Sequence, residues 1–242
     1  MNGRPRGRAF VGTSGFGYRT WIPRFYPERT RPKQFLAVYA TQLGSVETNF
    51  TFNQLPTESA VAAWVAATPE QFRFAVKASR RITHLKLLRD TADSLPRFFD
   101  RIRLLGTRLG CVLFQTPPWL KRDDELLRSF LHAVPAEGPR AAFEFRNDTW
   151  YDGAVYAILR ERNVALCTAE GERAPAPYTV TADFVYARLR NKAEAYTPDS
   201  LAGWRDRFRQ AMREGKDVYA YLYHDEAGEN ALMSMWLAEQ LS

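Results

Sequence analysis

Cysteine and histidine are scarce in this chain. Its 242 residues include two cysteines and three histidines. Cys111 and Cys167 each lie in an apolar run, Gly-Cys-Val-Leu-Phe and Val-Ala-Leu-Cys. They read as buried thiols of a reducing compartment rather than as a disulfide. No Cys-x-x-Cys pair supports a zinc site, and His224 and Asp225 do not combine with Glu47 and Glu144 into a metal-type spacing, so no metal is expected. No apolar run approaches the ~20 residues of a membrane span, which argues against a membrane protein. The basic start, Met-Asn-Gly-Arg-Pro-Arg-Gly-Arg, leads straight into Ala9-Phe10-Val11-Gly12 with no long apolar stretch. A secretory leader is therefore not expected, and the cytoplasm is the expected location. Neither an internal repeat nor a linker divides the chain. Residues 1–8 read as a basic tail and residues 9–242 as a single domain.

What is present is ordinary globular material, with 45% hydrophobic and 25% charged residues. Aromatics at 14% suit a large core or an aromatic-lined cleft. The 34 basic residues exceed the 27 acidic ones by seven. The resulting pI near 9.5 allows attraction of anionic ligands or nucleic acid. The arginines are spread along the chain, which equally fits a solvated Arg-rich surface.

Short apolar or β-branched runs alternate with helix-length amphipathic segments. The runs are Phe10–Ser14, Ser45–Asn49, Phe72–Lys77, Cys111–Gln115, Ala141–Arg146, Val164–Thr168, Phe184–Arg188 and Val218–Tyr223. Such alternation implies parallel strands with right-handed crossovers, and about eight units make a closed (β/α) barrel of the TIM type. Helix starts are marked at Pro32, Thr57, Asp123-Asp124, Asp152 and Pro198-Asp199. The Pro-rich stretch around Arg173–Tyr178 predicts an irregular unit after the sixth strand.

Nearly every run ends in polar residues, at the end of a barrel strand where function collects. Glu47 and Asn49 are two apart, as are Glu144 and Arg146, Arg188 and Arg190, and Tyr223 and Asp225, so each pair shares a strand face. Buried carboxylates need partners, and Lys77, Arg146 and Arg188 can supply them around one mouth. A pocket with Glu47 and Glu144 as an acid/base pair is one reading, and an ion-pair network that closes the barrel top is the other. The segment Thr13-Ser-Gly-Phe-Gly-Tyr18 matches neither the Walker nor the Rossmann fingerprint and reads as an anion-approaching loop or a plain turn. His84 reads as a loop histidine or a substrate contact. Trp21, Tyr26 and Trp150 read as cleft lining or core.

Several ordered segments are familiar together. They are Gly12-Thr-Ser-Gly-Phe-Gly-Tyr with Trp21 and Phe25-Tyr-Pro, Val46-Glu-Thr-Asn-Phe-Thr-Phe with Leu55-Pro56, and Phe72-Arg-Phe-Ala-Val-Lys-Ala with Ile82-Thr-His84. Phe114-Gln-Thr-Pro-Pro and Phe143-Glu-Phe-Arg-Asn with Trp150 complete the set. In these segments the chain resembles the domain-of-unknown-function 72 family, also called YecE-like, from about Val11 to the last helix. The resemblance implies a TIM-barrel-like fold. It also implies that Glu47, Asn49, Lys77, His84, Gln115, Glu144, Arg146 and Trp150 occupy the family's recurring polar and aromatic positions. It implies no reaction. The barrel is broadly similar to the xylose isomerase and endonuclease-IV type, which is an analogy of fold alone.

The C-terminal third departs from the family pattern. Ala169-Glu170 stands where an Asp is usual, Arg188-Leu-Arg-Asn where Arg-Leu-His-Gly is usual, and Tyr223-His-Asp where Asn-Asn-Asp is usual. Arg188 and Asp225 are kept, so the expectation is a shifted ligand specificity or a lost activity.

The leading expectation is an enzyme of hydrolase, lyase or isomerase type acting on a small polar or anionic substrate. Glu47, Lys77 and Glu144 would be catalytic, while Asn49, His84, Gln115, Arg146, Trp150, Arg188 and Asp225 would bind substrate. A phosphodiester-acting or nucleic-acid-binding protein and a non-catalytic binding module are the alternatives. The sequence names no cofactor.

Overall fold

The structure, a computed structural model, describes residues 5–170, 176–191 and 194–242. Its strands are β1 (Ala9–Thr13), β2 (Ser45–Thr48), β3 (Arg73–Lys77), β4 (Leu109–Gln115), β5 (Arg140–Glu144), β6 (Ala165–Ala169), β7 (Phe184–Leu189) and β8 (Asp217–Leu222). All eight lie in one sheet, in the order β1-β8-β7-β6-β5-β4-β3-β2, and every pairing is parallel. The remaining seam joins β1 to β2 through a parallel bridge between Ser14 and Glu47. Gly12 makes that close approach possible. A Cβ there would sit 1.9 Å from the Ser45 carbonyl oxygen. The result is a nearly closed TIM-barrel-like fold, with each strand within one or two residues of the run that predicts it.

Helices follow the strands: α1 (Phe35–Gln42), α2 (Phe50–Asn53), a single turn at the mouth, α3 (Glu58–Ala66), α4 (Ser94–Ile102), α5 (Asp124–Ala133), α6 (Gly153–Glu161), α7 (Pro198–Arg213) and α8 (Glu229–Leu241). The caps follow the sequence signals. Thr57, Asp123 and Asp152 accept from the Ala60, Leu126 and Ala154 amides, and Thr197 and Ser200 form a capping box. Pro32 opens a 3-10 turn, Pro32–Gln34, that leads into α1, so the α-helix proper starts three residues later than the proline signal. The Pro-rich segment after β6 lies partly outside the described residues, and residues 176–183 form no helix. Residues 1–4 of the basic tail also lie outside.

The alternation along each strand separates two cores. Val46, Phe74, Val76, Val112, Phe114, Phe143 and Leu166 face outward and pack under the helices. Phe10, Ala75, Cys111, Leu113, Ala142, Cys167, Phe184, Tyr186, Tyr219 and Tyr221 fill the barrel. Each fully buried large side chain contributes about 1.5–3 kcal/mol relative to exposure. Both thiols are free and buried, and burial pushes both well above the ordinary thiol range. Trp21 and Tyr26 are buried among Phe25, Phe35 and Tyr39, which settles them as core. No helix among the described residues is long and apolar enough to cross a membrane.

Candidate active site at the barrel mouth

The inward positions that end β2, β3, β4, β5 and β7 are Glu47, Lys77, Gln115, Glu144 and Arg188. Period-two alternation puts them above the tyrosine-filled interior, where they form one layer. Arg188 is 1% exposed and sits at the centre of that layer. Its Nη2 donates to Glu47 Oε1 at 2.8 Å and its Nη1 to Glu144 Oε2 at 2.5 Å. Tyr186, two residues earlier on the same face of β7, donates its hydroxyl to Glu47 Oε2 at 2.8 Å. Gln115 Nε2 donates to Glu144 Oε2 at 2.8 Å, and Arg146 Nε donates to Glu144 Oε1 at 3.2 Å. Burial alone would raise the Glu144 pKa, but Arg188, Arg146 and Arg190 outweigh it and hold the carboxyl well below its usual range. The same two carboxylates, working against burial, keep Arg188 firmly protonated.

Lys77 is placed differently. It is only 8% exposed, and no carboxylate among the described residues comes within ion-pair distance of it. Its Nζ lies 4.0 Å from the centroid of the Phe52 ring. Thr51 donates to the Lys77 carbonyl at 2.6 Å and fixes the strand end. Burial, with the nearby Arg188 and Arg146 guanidiniums, outweighs the attraction of Glu144 and Glu47 and lowers the lysine pKa to about 7. The carboxylates do not reverse this, because Arg188 already engages both.

His84 lies beyond β3 on a π-helical turn, Arg81–Leu85. Its Nδ1 is 2.8 Å from Thr83 Oγ1, and its ring meets Phe52 edge-on at 4.9 Å and Trp119 at 6.2 Å. Burial, then Lys77, Arg146 and Arg80, lower its pKa to about 4, which keeps it neutral at pH 7. Trp119, 66% exposed, follows β4, and the exposed apolar residues Phe50 and Leu85 lie on the segments that follow β2 and β3.

The structure gathers Glu47, Lys77, Gln115, Glu144, Arg146 and Arg188, with His84 and Asn49 at the edge. Two other expected site residues are placed elsewhere. Trp150 is fully buried, stacks on Phe145 at 4.6 Å and donates its indole N–H to the Leu120 carbonyl at 2.8 Å. Asp225 lies past the end of β8, so the two-apart rule does not carry it into the mouth. Its carboxylate accepts from the Glu229 and Asn230 amides at 2.9 and 2.7 Å and caps α8. Glu170 is likewise turned away, accepting from Trp204 Nε1 at 2.7 Å and from the Tyr196 hydroxyl. It borders a separate cavity of about 490 Å³ beside Tyr178, Trp204 and Arg207.

Several residues that the sequence reading did not place in the site now enter it. Arg190 lies 5.0 Å from the Tyr223 ring centroid and is drawn below the usual guanidinium range by burial and by Arg188. Tyr186 was detectable in principle, since it stands two residues before Arg188. Six buried side-chain atoms have no hydrogen-bond partner among the described residues: Ser14 Oγ, Asn49 Oδ1, Thr116 Oγ1, Arg188 Nε, Arg190 Nε and His224 Nδ1. All six belong to residues at, or within two positions of, the carboxyl end of a strand. Buried polar atoms are rarely left unsatisfied, and these six lie at the end of the barrel where the strands meet their following loops. No group of three or more His, Cys, Asp or Glu side chains is placed to hold a metal among the described residues.

Residues 10–242 match the family described as Protein of unknown function DUF72. The chain belongs to the DUF72 family. It is 30% identical over 171 residues to the UPF0759 protein YunF of Bacillus subtilis, a match covering 67% of this chain and 57% of that protein. It is 33% identical over 103 residues to the UPF0759 protein YecE of Escherichia coli K12, covering 42% of this chain and 38% of that one. The alignments thus span little more than half, or less, of these curated relatives. A solved DUF72 structure from Thermotoga maritima superposes with a TM-score of 0.83 at 26% identity, covering 97% of this chain and 99% of that one. The fold is shared with that solved DUF72 protein over nearly the whole of both chains.

Proposed function

We propose that this DUF72 protein is an enzyme acting on a small anionic substrate at the barrel mouth. Lys77 exchanges a proton with the substrate near neutral pH, and Arg146 and Arg190 hold the substrate's negative charge. The observation that carries this reading is the setting of Lys77, a buried amine flanked by guanidiniums and lacking a carboxylate partner among the described residues. A proton-transfer group works best with a pKa close to the operating pH, and about 7 meets that condition. Glu144, held deeply ionised, suits a fixed charge better than an exchanging acid. The Glu47–Arg188–Glu144 bridge sets the field in which Lys77 works. Arg146 and Arg190 then leave the mouth with a positive excess over its two carboxylates. Several surface arginines are paired, as in Arg24–Glu229, Arg89–Asp123 and Arg128–Glu161, which favours a small anion over a polyanion as ligand.

The test is protection. Small carboxylates and phosphorylated compounds are screened for their ability to slow trace acetylation of Lys77, read by peptide mass spectrometry. A protecting anion whose effect is lost in Arg190→Ala supports the reading. Acetylation indifferent to every anion, with Lys77 reacting like a surface lysine, sinks it.

A further inference from the structure

We infer that Lys77 forms a covalent imine with the carbonyl group of a small 2-oxo carboxylic acid, whose carboxylate lies against Arg146 and Arg190. This rests on the reading of the mouth as an anionic-substrate site and adds a nucleophilic role to the lysine.

Lys77 points inward at the end of β3, with its amine over the Phe52 ring rather than in an ion pair. The nearby carboxylates that could claim it, Glu47 and Glu144, are both held by Arg188. A lysine that is desolvated and placed beside another cation carries a neutral, nucleophilic fraction, and its ordinary partner is a carbonyl carbon. The neighbouring strand supplies an oxygen for the reacting group. Asn49, just past the end of β2, keeps a buried amide oxygen with no partner among the described residues. β2 pairs directly with β3. A carbinolamine hydroxyl can donate to the Asn49 amide oxygen.

The carboxylate beside the carbonyl answers the excess guanidinium charge at the mouth. The Phe52, His84 and Trp119 rings, each meeting the next edge-on, offer an apolar and aromatic surface to the rest of the acid.

The step balances without a redox partner. The amine lone pair attacks the carbonyl carbon, the C–N bond forms, and the C=O π pair moves to oxygen, which takes a proton. Loss of that oxygen as water then forms the C=N bond. One water leaves, and the protons exchange with solvent at the mouth. The positive charge of the protonated imine stays over the Phe52 ring, where the ammonium lay before.

The full chain is incubated with pyruvate or phenylpyruvate, with and without sodium borohydride, and mapped by mass spectrometry. The expected result is a borohydride-dependent mass gain equal to the keto acid less one oxygen, on the peptide carrying Lys77. It should be absent in Lys77→Met and reduced at least several-fold in Arg146→Ala, with circular dichroism confirming that both variants fold. An adduct spread over surface lysines, or one unchanged in Lys77→Met, overturns the inference. Protection of Lys77 from acetylation without a trapped adduct also overturns the imine but leaves the anionic-substrate reading standing. Neither protection nor adduct, with these acids and with the other anions screened, removes both.

Discussion

Replacing Arg188 with methionine removes the cation that holds two buried carboxylates. Glu47 would keep the Tyr186 hydroxyl, and Glu144 would keep Gln115 and Arg146. Both would lose a guanidinium at 2.5–2.8 Å in a fully buried site. Breaking a buried pair by removing one partner costs about 3–5 kcal/mol, because the other charge is left uncompensated. For a chain of this size that corresponds to a fall in Tm of roughly 6–20 °C. The pH dependence is more diagnostic than the size. In the wild type, Glu144 has a depressed pKa. The stability it contributes is fully present above the unfolded value of about 4.3 and is lost as the pH falls through the folded value. Without Arg188 the largest lowering charge on Glu144 is gone, so burial lifts the carboxyl relative to the wild type. Acidification then protonates the under-compensated group, and the penalty shrinks as the pH falls. Urea unfolding of both proteins between pH 8 and pH 5 reads this directly. A deficit under about 1 kcal/mol at pH 7, or one constant across the range, would refute the reasoning.

Two further substitutions separate function from scaffold. Lys77 has a folded pKa of about 7 against an unfolded value near 10.4, so the folded chain binds fewer protons between them and stability rises with pH across that window. Its burial cost is fully felt below pH 7. Lys77→Met should therefore raise stability by about 1–3 kcal/mol at pH 6, with the gain narrowing towards pH 10 in urea titrations. A loss of stability at pH 6 would contradict this. Asp225→Ala removes the α8 cap and should cost about 1–2 kcal/mol in thermal unfolding without moving the Lys77 titration. A shifted Lys77 midpoint in that variant would return Asp225 to the mouth.

The barrel was legible because its strands are buried on both faces, so each appears as a short apolar run with a polar end. The caps at Thr57, Asp123 and Asp152 were legible because capping is a local matter of one side chain and one amide. The seam at Ser14 and Glu47 was not, since closure depends on how far β1 approaches β2 across Gly12. For the site, alternation correctly grouped Glu47, Lys77, Gln115, Glu144 and Arg188, because a strand's inward face is fixed by parity. Which cation takes which carboxylate is a tertiary outcome. Arg188 reaches two acids from β7, and this leaves Lys77, on β3, without one. Trp150 and Asp225 were expected in the site in part from the family resemblance, and a resemblance does not distinguish a residue that touches substrate from one that packs or caps. Parity also failed beyond β8, where the chain leaves the strand after Leu222 and Asp225 turns toward α8.

The amine of Lys77 carries the proposed chemistry, and its titration is the most direct test. Competitive trace acetylation across pH 5 to 11, quantified on the Lys77 peptide against surface lysines, measures the midpoint of that single amine. The prediction is a midpoint near 7 in the wild type, moving upward in Arg146→Ala as one lowering charge is removed. A wild-type midpoint near 10.4, indistinguishable from the surface lysines, would contradict the account.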